Sequence, residues 1–142
     1  MGVLTDIFAA TDAQVDALSP DDIPIQMFPG VEAKGVHIIK LGTLQNILVG
    51  TDVQDAIGQH EWMDEKSAEG FWITRLPKEL FDALAGLNGD QIPEVAHKWS
   101  ETAEFESEHW EKSEVEDLMT RIVLLAKDAR SNGKGLFVWT CL

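Results

Sequence analysis

The chain has 142 residues, of which 44% are hydrophobic and 25% are charged. These proportions are typical of one soluble globular domain spanning residues 1–142, and they exclude disordered, collagen-like and low-complexity chains. Eleven Lys and Arg residues stand against 25 Asp and Glu residues, which gives a formal net charge of −14. Residues 1–33 contain no Lys or Arg. The chain therefore lacks the basic surface that nucleic acid or an anionic membrane would require.

The only cysteine is Cys141. One thiol cannot form an intrachain disulfide, which favours a reducing, cytosolic setting. The first residues do not combine a basic segment with a long apolar one, so they do not resemble a signal peptide. No apolar run approaches the ~18 residues of a membrane span. We therefore expect a cytoplasmic protein without a membrane segment.

The first part of the chain predicts short elements. Leu4–Ala10 is a short apolar opening, and Thr11 marks the start of a helix. Ile23–Val31 contains two prolines and a glycine, so we expect it to be extended or rich in turns. Gly35–Leu41 fits either a short strand or the entry to a helix.

Glycines divide the next part of the chain. Thr43 is expected to cap a helix that ends at Gly50, and a short helical turn after it ends at Gly58. The polar residues Gln59–Gly70 are expected to form a loop. Phe71–Leu76 combines aromatic and β-branched residues and predicts a strand.

Helical patterns dominate the remainder. Pro77 suits the first turn of a helix, where its missing N–H has no partner to lose. Asp90 can cap the next helix, whose inward positions are Ile92, Val95, Ala96 and Trp99. Ser113 and Glu116 have the spacing of a capping box at the start of a long helix, which Gly133 ends.

The last residues predict a buried strand, because Leu136–Leu142 is apolar on both alternating faces. Helices outnumber strands, and the strands lie far apart in the sequence. The predicted fold class is therefore α+β: a helix-rich single domain with a small sheet, in which a long C-terminal helix is followed by a buried C-terminal strand.

Acidic residues and tryptophans occur together near the last helices. Glu101–Asp117 contains eight acidic residues and one Lys, which is half of the net charge. Aromatic side chains anchor protein interfaces, and acidic ones speed association with basic partners. The segment therefore predicts a protein-binding surface formed by Trp99, Glu101, Glu104, Phe105, Glu108 and Trp110. In the alternative arrangement, Trp99 and Phe105 close the core while the acidic residues face water.

Catalytic motifs give little support to an enzyme. The chain has no Walker A loop, no Rossmann glycine pattern, no His-Glu-x-x-His and no Cys-x-x-Cys, and nothing in it indicates a cofactor. The enzymatic alternative is a metal site at His97 and Glu101, which stand one helical turn apart and could hold zinc, iron or manganese. A weaker cluster combines His60, Glu61, Asp64 and Glu65.

Several segments resemble one protein family. These are Met1-Gly2, Lys40–Gly50, the Leu-Pro-x-Glu-Leu pattern at Leu76–Leu80, and Ala129–Gly135 before the apolar end. Together they resemble the YfbM-like proteins, a family of small uncharacterised bacterial proteins. The chain lacks the Trp-His pair that the family tends to carry at the positions of Leu41–Thr43. The resemblance implies a cytosolic bacterial α+β protein and carries over no catalytic residues.

These observations favour a small cytosolic bacterial protein that binds another protein and is not an enzyme. A basic partner fits the acidic surface. In one version of this prediction, the chain is an immunity-type or inhibitor protein that neutralises such a partner. The further alternative is self-association, in which the apolar C-terminal region is buried in a dimer. We expect no nucleic-acid partner, no membrane partner and no cofactor.

Overall fold

A five-stranded antiparallel sheet with the strand order β2-β1-β5-β4-β3 lies at the centre of the computed structural model, which describes residues 4–19, 21–63 and 70–141. The strands are β1 (Leu4–Ala10), β2 (Gly30–Glu32), β3 (Glu61–Trp62), β4 (Phe71–Arg75) and β5 (Gly135–Cys141). The helices are α1 (Asp12–Asp16), α2 (Pro24–Met27), α3 (Ile38–Val49), α4 (Val53–Gly58), α5 (Lys78–Gly86), α6 (Ile92–Ser100), α7 (Ala103–Ser107) and α8 (Lys112–Ser131). The predicted α+β class is confirmed, as are the long C-terminal helix and the strand that follows it.

The two faces of the sheet carry different layers. On one face, α8 contacts β1, β2 and β5, while α5 and α6 pack against α8 and α3 packs against both of them. Side chains alternate along a strand, so Ile7 and Val138 point into this helical core. Phe8 and Phe137 point to the other face, where they stack at 5.6 Å and form a smaller core. Both faces of the central strands are thus covered.

Strand β5 lies between β1 and β4 and pairs with both of them along its length. Leu136, Phe137 and Val138 are buried, which confirms the prediction of a strand covered on both sides. This burial is achieved within one chain. The apolar character of the C-terminal segment is therefore explained without a dimer.

The structure corrects three predicted helix starts. Helix α3 begins after His37, whose Nδ1 accepts a hydrogen bond from the Ile39 N–H at 3.3 Å. Thr43 lies inside that helix, and its hydroxyl donates to the Lys40 carbonyl at 2.7 Å instead of capping. The capping box of α8 is formed by Glu111 and Glu114, not by Ser113 and Glu116. The cap expected at Asp90 is formed two residues earlier, where Asn88 and Gln91 close a capping box over the 3-10 turn Gly89–Gln91 that precedes α6.

The shorter strands escape prediction. The apolar opening forms β1, while β2 and β3 lie in segments expected to be turn-rich or a loop. Gly35–Leu41 contributes no strand, because His37 caps a helix there. Residues 64–69 of the predicted Gln59–Gly70 loop, with Asp64 and Glu65 of the weaker metal cluster, lie outside the described residues. Among the helices described, none is long and apolar enough to cross a bilayer.

Candidate functional site

A buried lysine connects the helical core to the acidic segment. Lys40 lies on α3, and its side chain is 0% exposed. Its Nζ donates to the Gly35 carbonyl at 2.6 Å and to Glu108 Oε2 at 2.5 Å. Because a buried ammonium is stable only with partners, these two bonds hold Gly35 and the end of α7 against α3.

Three aromatic rings surround this ion pair, and we call them the aromatic stack: Trp99, Phe105 and Trp110. The Phe105 ring meets Trp99 edge-on at 4.8 Å and Trp110 edge-on at 5.1 Å. Lys40 Nζ lies 5.1 Å from the Phe105 centroid and 5.7 Å from that of Trp110, which is cation–π distance. The Trp99 indole N–H donates to the Lys40 carbonyl at 2.9 Å. The stack thus runs from the core outward to Trp110.

This arrangement corrects part of the predicted protein-binding surface. Trp99 and Phe105 are fully buried, so neither can be an exposed anchor, and the alternative arrangement holds for them. The physical reason is helical spacing on α6, which turns Trp99 inward together with Ile92 and Ala96. Trp110 is half-buried at the end of the stack.

The three acidic residues of the predicted surface lie in different surroundings. Glu108 is exposed and ends the ion pair with Lys40. Glu104 is partly buried on α7 and acts electrostatically on His37. Glu101 Oε1 lies 3.1 Å from His97 Nε2 at the end of α6. Four members of the predicted surface remain outside the core: Glu101, Glu104, Glu108 and Trp110. Of these, Glu108 and Trp110 line a cleft, while Glu101 and Glu104 do not.

The predicted metal site at His97 and Glu101 has two candidate ligands. His97 and Glu101 do face each other across one helical turn, and each side chain is about half exposed. In residues 4–19, 21–63 and 70–141, no group of three or more His, Cys, Asp or Glu side chains could hold a metal ion. The closeness of these two surface side chains is accounted for by their contact with each other.

A cleft of about 500 Å³ lies above the Lys40–Glu108 pair, and we call it the acidic cleft. Its walls come from the end of β2, from the Glu108–Trp110 segment and from the first half of α8. The residues that line it are Glu32, Lys34, Gly35, Glu108, Trp110, Glu114, Asp117, Leu118 and Arg121. Trp110 and Leu118 supply apolar surface between four carboxylates and two cations.

The charges in the acidic cleft are only partly compensated. Arg121 Nε lies 3.2 Å from Asp117 Oδ2, and Glu108 is paired with Lys40. Glu32 and Glu114 have no ion pair with any described residue. Glu114 accepts only the backbone N–H of Glu111, in the capping box. Lys34, which also lines the cleft, has no ion pair with a described residue either, so the cleft presents two unpaired carboxylates and one unpaired ammonium beside an indole ring, and its net charge is negative.

The pKa of Glu108 shows how firmly the pair is held. Burial alone would raise this pKa, but the hydrogen bond and the charge of Lys40, together with Trp110 and His37, lower it below its usual range. Burial and the neighbouring Lys40 lower the pKa of His37. Both shifts are consistent with an ionised Glu108 and a neutral His37 beside the cleft at neutral pH.

Two residues of this site escaped the sequence reasoning. Lys40 is a lone cation in the apolar run Val36–Leu41, which is the signal that could have marked it as buried and paired. Gly35 has φ +81°, and a Cβ there would lie 3.2 Å from Glu108 Oε1. Only glycine fits this conformation and this approach without strain.

We predict that Glu108→Gln lowers the free energy of unfolding by about 2 kcal/mol at pH 7, since it leaves the buried Lys40 charge without its counter-ion. Chemical denaturation measures the change. The effect lies below the ~3–5 kcal/mol of a fully buried pair because Glu108 is itself exposed to water.

The matched control is the double variant Lys40→Met/Glu108→Gln, which removes the charge and its partner together. It should recover most of the lost stability, since methionine fills the space of the buried Lys40 side chain with apolar atoms. A double variant less stable than Glu108→Gln would show that Lys40 is held by packing and not by this pair.

Comparison of the chain with protein-family models, curated proteins and solved structures gives no match. The resemblance to the YfbM-like proteins therefore stays a prediction.

Proposed function

We propose that this protein binds another protein, one with a basic surface, through the acidic cleft. The observation that supports the proposal best is the combination of the unpaired carboxylates of Glu32 and Glu114, which outnumber the unpaired ammonium of Lys34, with the half-buried indole of Trp110. Aromatic rings beside charges of one sign are a common composition of protein interfaces. The cytoplasmic setting and bacterial origin belong to this proposal and rest on the sequence.

Preorganisation favours binding at this cleft. Trp110 is held by Phe105 and by the Lys40–Glu108 pair, so its ring loses little rotamer freedom when a partner docks. Glu114 is fixed by the capping box of α8. A partner therefore meets an ordered surface, which reduces the conformational entropy that is lost on binding.

The overall charge favours the same class of partner. A net charge of −14 on a chain of this length attracts cations from a distance and speeds their encounter with the protein. We expect association to slow steeply when the Debye length falls from about 30 Å at 0.01 M salt to about 3 Å at 1 M salt. Dissociation, which depends on contacts at Trp110, should change much less.

The direct test places a photo-cross-linking amino acid at Ser113, an exposed position next to Glu114. Cross-linking in cells followed by mass spectrometry should identify a partner with a basic surface. The same amino acid at Asp90, on the loop before α6, is the control position. A cross-link that is absent at Ser113, or equally strong at Asp90, would contradict the proposed site.

We predict that Glu32→Gln/Glu114→Gln weakens binding of that partner about tenfold at low salt, at about 0.7 kcal/mol for each charge removed. Glutamine still satisfies the capping box, so the fold should be unchanged. Calorimetry against the control Asp82→Asn/Asp90→Asn, which removes the same charge elsewhere, measures the difference. Equal weakening by the two double variants would mean that net charge, and not the cleft, governs binding.

A further inference from the structure

Strand β2 is one of the two edge strands of the sheet within the described part of the chain. Its hydrogen bonds to β1 alternate: the Ala33 N–H donates to the Thr5 carbonyl at 2.8 Å, and the Ala9 N–H donates to the Pro29 carbonyl at 2.9 Å. In an antiparallel pair the residues between such positions direct their peptide groups away from the partner strand. The peptide groups of Gly30 and Glu32 therefore point outward, and both residues are exposed.

A pocket lies on each side of this edge. The acidic cleft is on the side covered by α8. A second pocket of about 370 Å³, which we call the apolar pocket, is on the side covered by α2. Its apolar lining residues are Leu4, Ile23, Ile25 and Trp139, and its polar ones are Thr5, Asp6, Gln26, Glu32 and Lys34. Glu32 and Lys34 belong to the lining of both. The edge thus runs between one acidic and one largely apolar depression.

The apolar pocket has a polar element of its own. Asp6 lies in its lining, opposite Glu32 in the strand register. Burial and the nearby Glu32 charge raise the pKa of Asp6.

We propose that an extended segment of the partner adds to β2 as a further strand, with basic side chains in the acidic cleft and apolar side chains in the apolar pocket. Successive side chains of a strand point to opposite faces, so a partner segment that alternates basic and apolar residues fits both depressions at once. Main-chain bonds to Gly30 and Glu32 supply affinity, and the two pockets supply specificity. This inference rests on the proposed function and states how the partner binds.

The net charge of the chain favours a different protein, and not a second copy of this chain, as the molecule that adds a strand to β2. Pairing two copies through β2 would bring together two molecules of net charge −14 and two acidic clefts. A strand of three residues flanked by charged side chains also gives two copies little to pair. A basic segment avoids the charge repulsion, and the two pockets add side-chain contacts that the short strand alone does not supply.

The test uses two synthetic peptides of about ten residues, near the upper length of a strand. One alternates arginine and valine, and the other has the same residues with all arginines before all valines. We expect the alternating peptide to bind the wild-type protein about tenfold more tightly, a difference of about 1.4 kcal/mol. Its binding should slow hydrogen exchange at the Glu32 amide, which the block peptide should leave fast.

Glu32→Pro removes the outward N–H, while Glu32→Gln keeps it and removes the same charge. We expect the proline variant to lose the preference for the alternating peptide and the glutamine variant to retain it. If the proline variant unfolds the edge of the sheet, hydrogen exchange at the Glu32 amide of the wild-type protein still shows whether the alternating peptide pairs with β2.

Each outcome has a distinct meaning. Equal binding of both peptides, weakened by Glu32→Gln/Glu114→Gln, would overturn strand addition while supporting the proposed function. Binding of neither peptide at low salt would count against both proposals. A dimer of the free protein with a protected Glu32 amide would overturn strand addition, because a second copy would already occupy the edge.

Discussion

Trp99→Ala should lower the free energy of unfolding by about 4 kcal/mol, within the range for deleting a buried aromatic side chain. Trp99 is among the largest fully buried side chains, and it packs edge-on against Phe105. Alanine would leave a cavity between α3, α6 and α7. It would also remove the indole bonds to the Lys40 carbonyl and, at 3.2 Å, to Thr43 Oγ1.

The matched control is Trp62→Ala, because Trp62 is 48% exposed on β3. Its partner is Trp72, with ring centroids 6.0 Å apart. We expect a loss of about 1 kcal/mol or less from this change, since half of the surface already contacts water. Urea denaturation followed by far-UV circular dichroism measures both variants without relying on tryptophan fluorescence. Comparable losses in the two variants would contradict the buried position of Trp99.

Trp99→Phe separates packing from hydrogen bonding. It keeps an aromatic ring near Phe105 and removes the indole donor. We expect an intermediate loss of about 2 kcal/mol, from a smaller ring and a missing donor. Because Phe105 transmits the position of Trp99 to Trp110, Trp99→Ala should also weaken binding at the acidic cleft, which Trp62→Ala should leave unchanged.

The elements that the sequence predicts well are those with long, regular patterns. Helix α8 repeats apolar residues over five turns, and β5 is apolar on both faces, so each carries its own signal. Strands β2 and β3 have three and two residues, and they exist because β1 and β4 offer partners in register. Such pairing depends on distant segments, which no local pattern records.

The candidate site shows the same limit. Interleaved acids and aromatics pointed to Glu108 and Trp110, which line the acidic cleft, but the same pattern suggested an exposed Trp99, which is buried. The helical spacing of Ile92, Ala96 and Trp99 predicted the opposite and was right. Lys40 could not be connected to Glu108 from the sequence, since 68 residues separate them. A tertiary contact decided which acidic residues form a site.

Acid should destabilise the protein between pH 6.5 and pH 4, and His60 is the main reason. This side chain is 3% exposed, and neither imidazole nitrogen has a hydrogen-bond partner among the residues that the structure describes. Burial lowers the pKa of His60 from 6.5 to about 4. The unfolded chain therefore binds a proton in this range while the folded protein does not. As the pH decreases through this range, the free energy of unfolding should decrease by about 3 kcal/mol in total, at 1.36 kcal/mol per pKa unit.

His37 and Glu108 also contribute to the pH dependence of the free energy of unfolding, and their contributions can be distinguished from that of His60. The lowered pKa of His37 adds a smaller loss in the same direction below pH 6.5. The stabilisation from Glu108 is present above its usual pKa and is lost only at more acidic pH, as pH falls through its lowered pKa. His37→Asn keeps a residue able to cap α3, so it should remove only the part of the pH dependence that comes from His37.

His60→Leu is the decisive variant. Leucine is apolar and cannot take up a proton, so most of the stability loss between pH 6.5 and pH 4 should disappear. At pH 7 the variant should match the wild-type protein or exceed it by about 1 kcal/mol, because an unsatisfied buried polar group is replaced by an apolar one. Denaturation curves at pH 7, 5.5 and 4.5 measure both effects. A strong loss at pH 7 would mean that the imidazole is held by polar contacts, and an unchanged pH dependence would mean that His60 is protonated freely in the folded state.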